Sequence, residues 1–225
     1  MINKILSAVL PALLFFLFIS CQTDSSIEKE SRVDVLPFYN SPEFTPRWID
    51  GKKNDMTDFH KIPEFELLNQ FGNTISEKTV SGKIYVADFF FATCPGICPK
   101  MAGNMSVIQK AFEKDDQVLL LSHSVTPEQD SVSALKTYGD RNNCQPGKWH
   151  LLTGDREQIY FLGREAYFVE EDMGLQKSKD DFLHSENFLL VDQNRRLRGI
   201  YNGLNSTDVQ QLIADIHTLK KEMLN

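Results

Sequence analysis

The run Lys83-Ile84-Tyr85-Val86-Ala87-Asp88-Phe89-Phe90-Phe91 constrains this chain more than any other segment. It is β-rich and almost continuously apolar. A strand with one wet face alternates, whereas a run of this kind is buried on both faces and belongs to a sheet covered by helices. It leads directly into Ala92-Thr93-Cys94-Pro95-Gly96-Ile97-Cys98-Pro99. Both prolines stand where a helix can begin, because the first turn tolerates a missing N–H, and Lys100 to Lys114 continues with helix-compatible residues apart from Gly103. Cys94 and Cys98 are therefore expected at a strand-to-helix junction.

Backbone N–H groups and the dipole at a helix N-terminus favour thiolate over thiol, which makes a cysteine there a nucleophile or a soft-metal ligand. Three residues separate Cys94 from Cys98, one more than in the usual redox dithiol. The wider loop still permits a disulfide and also lets both sulfurs face one ion. Two thiolates select Cu(I), Zn(II) or iron–sulfur chemistry, and one added imidazole makes a three-coordinate set that copper accepts. The plain alternative is an inert staple, which exported proteins form freely. A five-residue loop gains little from such a staple, since the benefit grows with loop length.

The remaining pattern alternates strand and helix. Glu64 to Leu68 and Thr74 to Ser76 flank a turn at Gln70-Phe71-Gly72-Asn73 and read as an N-terminal β-hairpin. A second buried strand covers Val118 to Ser122, followed by a helix over Ser131 to Tyr138, a strand over Trp149 to Leu152 and a helix over Glu157 to Tyr167. Phe188 to Val191 and Leu197 to Tyr201 form a closing hairpin turned at Asp192-Gln193-Asn194. Val209, Leu212, Ile213, Ile216 and Leu219 then recur at helical spacing. An α/β chain with a central mixed sheet flanked by helices, a cysteine pair at its βα junction and an N-terminal β-hairpin extension is similar in plan to the thioredoxin-like fold.

The N-terminus differs in kind. Lys4 precedes an apolar stretch from Ile5 to Ile19, too short for a comfortable membrane span, that ends at Ser20-Cys21. A small residue before Cys21 and the polar Gln22 to Ser26 after it resemble the lipobox of bacterial lipoproteins, with Phe18 in place of the usual Leu. That resemblance implies lipidation of Cys21 after cleavage. An uncleaved signal anchor is the alternative, and both put the rest outside the cytoplasm. The expected organisation is a signal peptide over 1–20, an anchored tether and irregular segment over 21–61, and a single domain over 62–225. Gln22 to Asp34 is Ser- and charge-rich, as befits a tether. The net charge of −7 comes without a long basic block, so nothing electrostatic points to nucleic acid.

In combination these motifs resemble the Sco/SenC family. Asp88 to Pro99 matches its Cys-Pro-x-x-Cys-Pro core, and Leu121 to Ser131 its strand ending in Asp-Pro-x-x-Asp. Trp149 to Gly154 matches its Leu-Thr-Gly turn, and Phe182-Leu183-His184-Ser185 its His-Ser before the closing hairpin. The likeness runs in order from Ile62 to Leu224. It implies a thioredoxin-like copper protein on the outer side of a cell membrane, facing the periplasm, that binds Cu(I) or Cu(II) through Cys94, Cys98 and His184. It also implies a partner, cytochrome c oxidase subunit II, whose binuclear site receives the copper or has its cysteines reduced. The chain departs from the family at Thr126, where an Asp is usual, and at Phe182-Leu183, where Val-Asp is common. Asp130 matches the family's second Asp and either supports the site or caps the following helix.

Other candidates have plainer readings. His123 and His150 lie near strand ends and read as structural or partly exposed. Met101 and Met105 share a helical stripe with Ile108 and Phe112, which reads as core rather than thioether ligation. Cys144 is the odd thiol in a turn-like segment, incidental or else an exposed thiol able to resolve a mixed disulfide. Arg195, Arg196 and Arg198 read as a solvated hairpin tip or a dock for an acidic partner. Three functions fit: a copper metallochaperone for oxidase maturation, a thiol–disulfide oxidoreductase that hardly needs His184, and a thioredoxin-fold sensor or peroxide-handling protein.

Overall fold

The computed structural model describes residues 30–51, 54–169, 183 and 185–224. Their strands form one seven-stranded mixed sheet. In chain order the elements are β1 (Glu66–Asn69), β2 (Thr74–Ser76), α1 (Glu77–Val80), β3 (Ile84–Phe90), α2 (Cys98–Ala111), β4 (Val118–Ser124), α3 (Val132–Arg141), β5 (Trp149–Thr153), α4 (Arg156–Phe161), β6 (Asn187–Val191), β7 (Leu197–Asn202) and α5 (Ser206–Leu224). The strand order is β2-β1-β5-β4-β3-β6-β7. The centre, β3, β4 and β5, is parallel, and the β1–β2 and β6–β7 hairpins add antiparallel on either side.

Every residue of β3 is buried. Ile84, Val86 and Phe90 face a core shared with α2, α3 and α5, while Tyr85, Ala87 and Phe89 face a second core over α4. The apolar run therefore fails to alternate because helices cover both faces. Met101, Met105, Ile108 and Phe112 lie in the first of these cores, each nearly or wholly buried, as the stripe reading has it. Val209, Leu212, Ile216 and Leu219 of α5 meet them there.

The expected helix over Glu157 to Tyr167 is two pieces, α4 and a π-helical turn at Leu162–Ala166. The difference lies at a contact with a residue distant in sequence. A Cβ on Gly163 would stand 2.4 Å from Leu183 Cδ2, so the backbone there is reserved for the Leu183 side chain. Burial of Leu183 fixes the chain one residue before His184.

The hairpin-tip reading is corrected for Arg198. Arg198 is only 4% exposed. It pairs with Asp192 at 3.3 Å and Glu222 at 2.7 Å, donates to Leu36 O and Pro37 O, and covers the Phe38 ring. Arg196 donates to Met56 O at 2.8 Å. The segment 30–51, which forms no regular strand, packs on this end of the sheet, where Phe38 bridges Arg47 and Tyr39 bridges Leu197. That packing takes Arg198 out of solvent, while Arg195 and Arg196 stay half-buried at the turn.

Candidate functional site

The two cysteines lie at the C-terminal end of β3, where the chain turns into α2. Cys98 is the first residue of α2, Pro99 fills the next position, and Ile97 flanks the helix without a side-chain cap. Pro95 precedes the helix instead of opening it, and the helix begins two residues earlier than Lys100. The Cys94 N–H donates to Phe91 O at 3.2 Å, and the N–H groups of Lys100 and Met101 both donate to Ile97 O at 3.0 Å. No acidic residue occupies the first turn of α2, so its free N–H groups are left to the sulfurs.

Cys94, Cys98 and Cys144 are all free thiols. Cys94 is half-buried. Burial alone would raise its pKa, but hydrogen bonds from the Cys98 backbone and thiol and from the Gly96 and Ile97 N–H groups outweigh that and hold it below the ordinary thiol value. Cys98 is 5% exposed, and its thiol is pushed well up by burial and by the charge of the Cys94 sulfur beside it. The sulfur nearer the surface is thus the more acidic of the pair, and the one beneath it is kept protonated.

Asp130 is 1% exposed and lies under this loop. Its Oδ2 accepts from Ala92 N at 3.1 Å, Ser124 Oγ at 2.6 Å and Thr126 Oγ1 at 3.0 Å. Ser131, not Asp130, caps α3, accepting from Ala134 N at 3.3 Å. Of the two readings of Asp130 the structure takes the one that ties it to the cysteine loop. Thr126, standing where an acid was expected, donates to Asp130, so this chain has one carboxylate here with three donors.

Sequence reasoning passed over Asp88. It is wholly buried, projects toward the α2 side of β3, and has an Oδ1 with no hydrogen-bond partner among the described residues. Burial raises its pKa to about 7, partly offset by a hydrogen bond with Ser122. A lone acid in an otherwise apolar strand was the available signal. Cys144 is buried in the α2 core and pushed up to about 12 by that burial, so it is not an exposed resolving thiol. His123 and His150 are likewise buried, His123 stacked on Phe89 with ring centroids 4.8 Å apart.

Cys21 and His184 lie outside the described residues. The neighbours of His184 are held: Leu183 is packed in the α4 core, and Ser185, 8% exposed, accepts from Asn187 N at 3.1 Å. Among the described residues no three His, Cys, Asp or Glu side chains gather as a metal cluster. The donor set among the described residues is a pair of soft sulfurs sharing a hydrogen bond, which suits a soft ion with one further ligand.

The SCO1/SenC family model matches residues 53–221. The SCO1 protein homolog of Bacillus subtilis is 28% identical over 161 residues, 70% of this chain and 81% of that protein. A SCO1/SenC family lipoprotein from Bacillus anthracis superposes with a TM-score of 0.62 at 31% identity, covering 72% of this chain and 95% of that one. BsSco, described as a member of the Sco family of cytochrome c oxidase assembly proteins and as having a disulfide switch, gives 0.60 at 26% identity over 71% and 93%. Bradyrhizobium japonicum ScoI with copper bound gives 0.55 at 25% identity over 71% and 97%. The paired thiols at the head of α2, the thioredoxin-like sheet that carries them and a family match over most of the chain agree: this chain belongs to the SCO1/SenC family.

Proposed function

We propose that the chain is a copper carrier that takes copper as cargo on Cys94 and Cys98, with His184 as third ligand, and passes it to a copper-receiving protein. The observation that carries this is the hydrogen-bonded thiol pair at the N-terminus of α2, with Cys94 held below the ordinary thiol range. Copper-bound ScoI from Bradyrhizobium japonicum supports the choice of metal. Two thiolates hold Cu(I) firmly, and incoming thiolates of a partner can replace them one Cu–S bond at a time without releasing free ion. The receiver in this reading is the binuclear copper site of cytochrome c oxidase subunit II, in keeping with the oxidase-assembly description of BsSco. Asp130 supports the site by holding Ala92, two residues before Cys94.

The place of action is outside the cytoplasm, with the domain tethered to the cell membrane through lipidated Cys21 after loss of residues 1–20. The lipobox-like Ser20-Cys21 and the lipoprotein relative from Bacillus anthracis support that placement.

Anaerobic Cu(I) titration of the reduced chain from Gln22 onward tests the reading, with X-ray absorption and chelator competition on wild type, Cys94→Ser and His184→Ala. One copper with two sulfurs and one nitrogen, weakened by both substitutions, is expected, followed by transfer to the soluble copper domain of subunit II. Weak binding indifferent to His184 would overturn it and leave a dithiol reductase as the better account.

A further inference from the structure

A second surface lies at the pole of the sheet opposite the thiols. β3 has seven residues, so roughly 20 Å separates its Ile84 end from the Phe90 end that leads to Cys94. Tyr85 pairs with Val191, which puts the β6–β7 turn, residues 192–196, at the Ile84 end. The N-terminal segment enters there. Leu36 N donates to Glu222 Oε1 at 2.7 Å, while Arg198 donates to Leu36 O at 2.7 Å and Pro37 O at 3.0 Å. Beside this clamp is a cavity of about 580 Å³ with Leu36, Phe38 and Met56 in its wall and Val35 and Trp48 at its mouth. Val35 is 50% exposed and Trp48 59%, whereas the other tryptophan, Trp149, is 1% exposed.

We propose that this pole rests on the lipid surface, with Trp48 and Val35 at the headgroup–acyl boundary and the thiol pole turned away toward the partner. The inference rests on the reading of Cys21 as a lipid anchor. Residues 22 to 34 separate Cys21 from Val35. Fully extended they reach about 45 Å at most. Because the chain enters the domain at this pole, it is the pole nearest the anchor, while turning the thiol pole to the bilayer uses roughly 20 Å of that reach to run back along the domain. Tryptophan, with an apolar body and one N–H, is the side chain that favours a membrane interface. Asp34, Asp50, Asp192 and Glu222 around the cavity stand against Arg196, Arg198 and Lys221, one acid in excess, which suits zwitterionic headgroups rather than an anionic surface.

The test uses the mature chain with a hexahistidine in place of Cys21, held on phosphatidylcholine vesicles by nickel-chelating lipid, so that docking is read whether or not Cys21 is lipidated in cells. Trp48 emission is expected to shift to the blue, to be quenched by phosphatidylcholine brominated on its acyl chains, and to be shielded from acrylamide. Trp48→Phe should abolish all three responses, while Cys94 stays open to a water-soluble maleimide on the vesicle. Equal acrylamide quenching on and off the vesicle, or no quenching by bromine, would overturn the docking. The anchor is tested separately by labelling the full chain with radioactive palmitate in a bacterial host, where Cys21→Ala should lose the label.

Discussion

The carboxylate of Asp130 and the backbone N–H of Ala92 are joined at 3.1 Å, which fastens the start of α3 to the loop two residues before Cys94. The same oxygen takes hydroxyl protons from Ser124 and Thr126. Asp130→Ala removes the acceptor of all three donors, of which Ser124 is buried and Ala92 and Thr126 half-buried. Leaving a buried donor unmet costs roughly 1–3 kcal/mol, more when its partner was charged. The expected result is a lower melting temperature, faster amide exchange at Ala92 and weaker Cu(I) retention. Asp130→Asn, placing its carbonyl oxygen at the same point, should recover most of the stability.

The thiols should react in a fixed order. Iodoacetamide at neutral pH is expected to modify Cys94 first, because hydrogen bonds from Cys98, Gly96 and Ile97 outweigh its partial burial and its sulfur is within reach of solvent. Cys98 and Cys144, both raised by burial, should remain unmodified until the chain is denatured. Mass spectrometry of tryptic peptides over time checks this, and early modification of Cys144 would contradict its place in the core.

Much of this architecture is legible in the sequence, and the gaps have physical causes. The double-sided burial of β3 shows as a run without alternation, and the stripe Met101, Met105, Ile108 and Phe112 shows as helical spacing. The role of Arg198 does not show. What removes it from water is the segment from Leu36 to Phe38, far off in sequence and without strand or helix periodicity. The α4 break is hidden for the same reason, since Gly163 meets a side chain, Leu183, from the other end of a long connection. At the site, the strand-to-helix placement of Cys94 and Cys98 is legible from the apolar run before them and the prolines beside them. Asp130 was ambiguous because an acid before Ser131 resembles a cap until the serine is seen to do the capping.

Gly163 and Leu183 should be coupled. A Cβ at Gly163 would meet Leu183 Cδ2 at 2.4 Å and Phe89 Cε1 at 3.2 Å. Overpacking of this kind typically costs 1–3 kcal/mol, and Leu183→Ala costs about 2–5 kcal/mol through the cavity it leaves. The double variant Gly163→Ala/Leu183→Ala is expected to be less destabilised than the sum, since the added methyl enters the space the leucine vacates. Urea unfolding of the four proteins measures the coupling. Strict additivity would mean that the two side chains do not share that space.

Stability should depend on pH through three buried groups that oppose one another. Burial lowers His123 and His150 from 6.5 to about 4. In that window the unfolded chain binds more protons than the folded one, so each histidine contributes stability that is full above 6.5 and lost as pH falls toward 4. Asp88 acts with the other sign. Burial raises it from 3.8 to about 7, so the folded chain binds the extra proton and stability is lost as pH rises across that interval. Between 4 and 6.5 the aspartate offsets part of the histidine slope. Asp88→Asn should therefore steepen the loss of stability on acidification, and His123→Gln with His150→Gln should flatten or reverse it. Urea midpoints from pH 4.5 to 7.5 read both slopes, and an Asp88→Asn profile parallel to that of the wild type would show that the carboxyl is not carrying its raised pKa in the folded state.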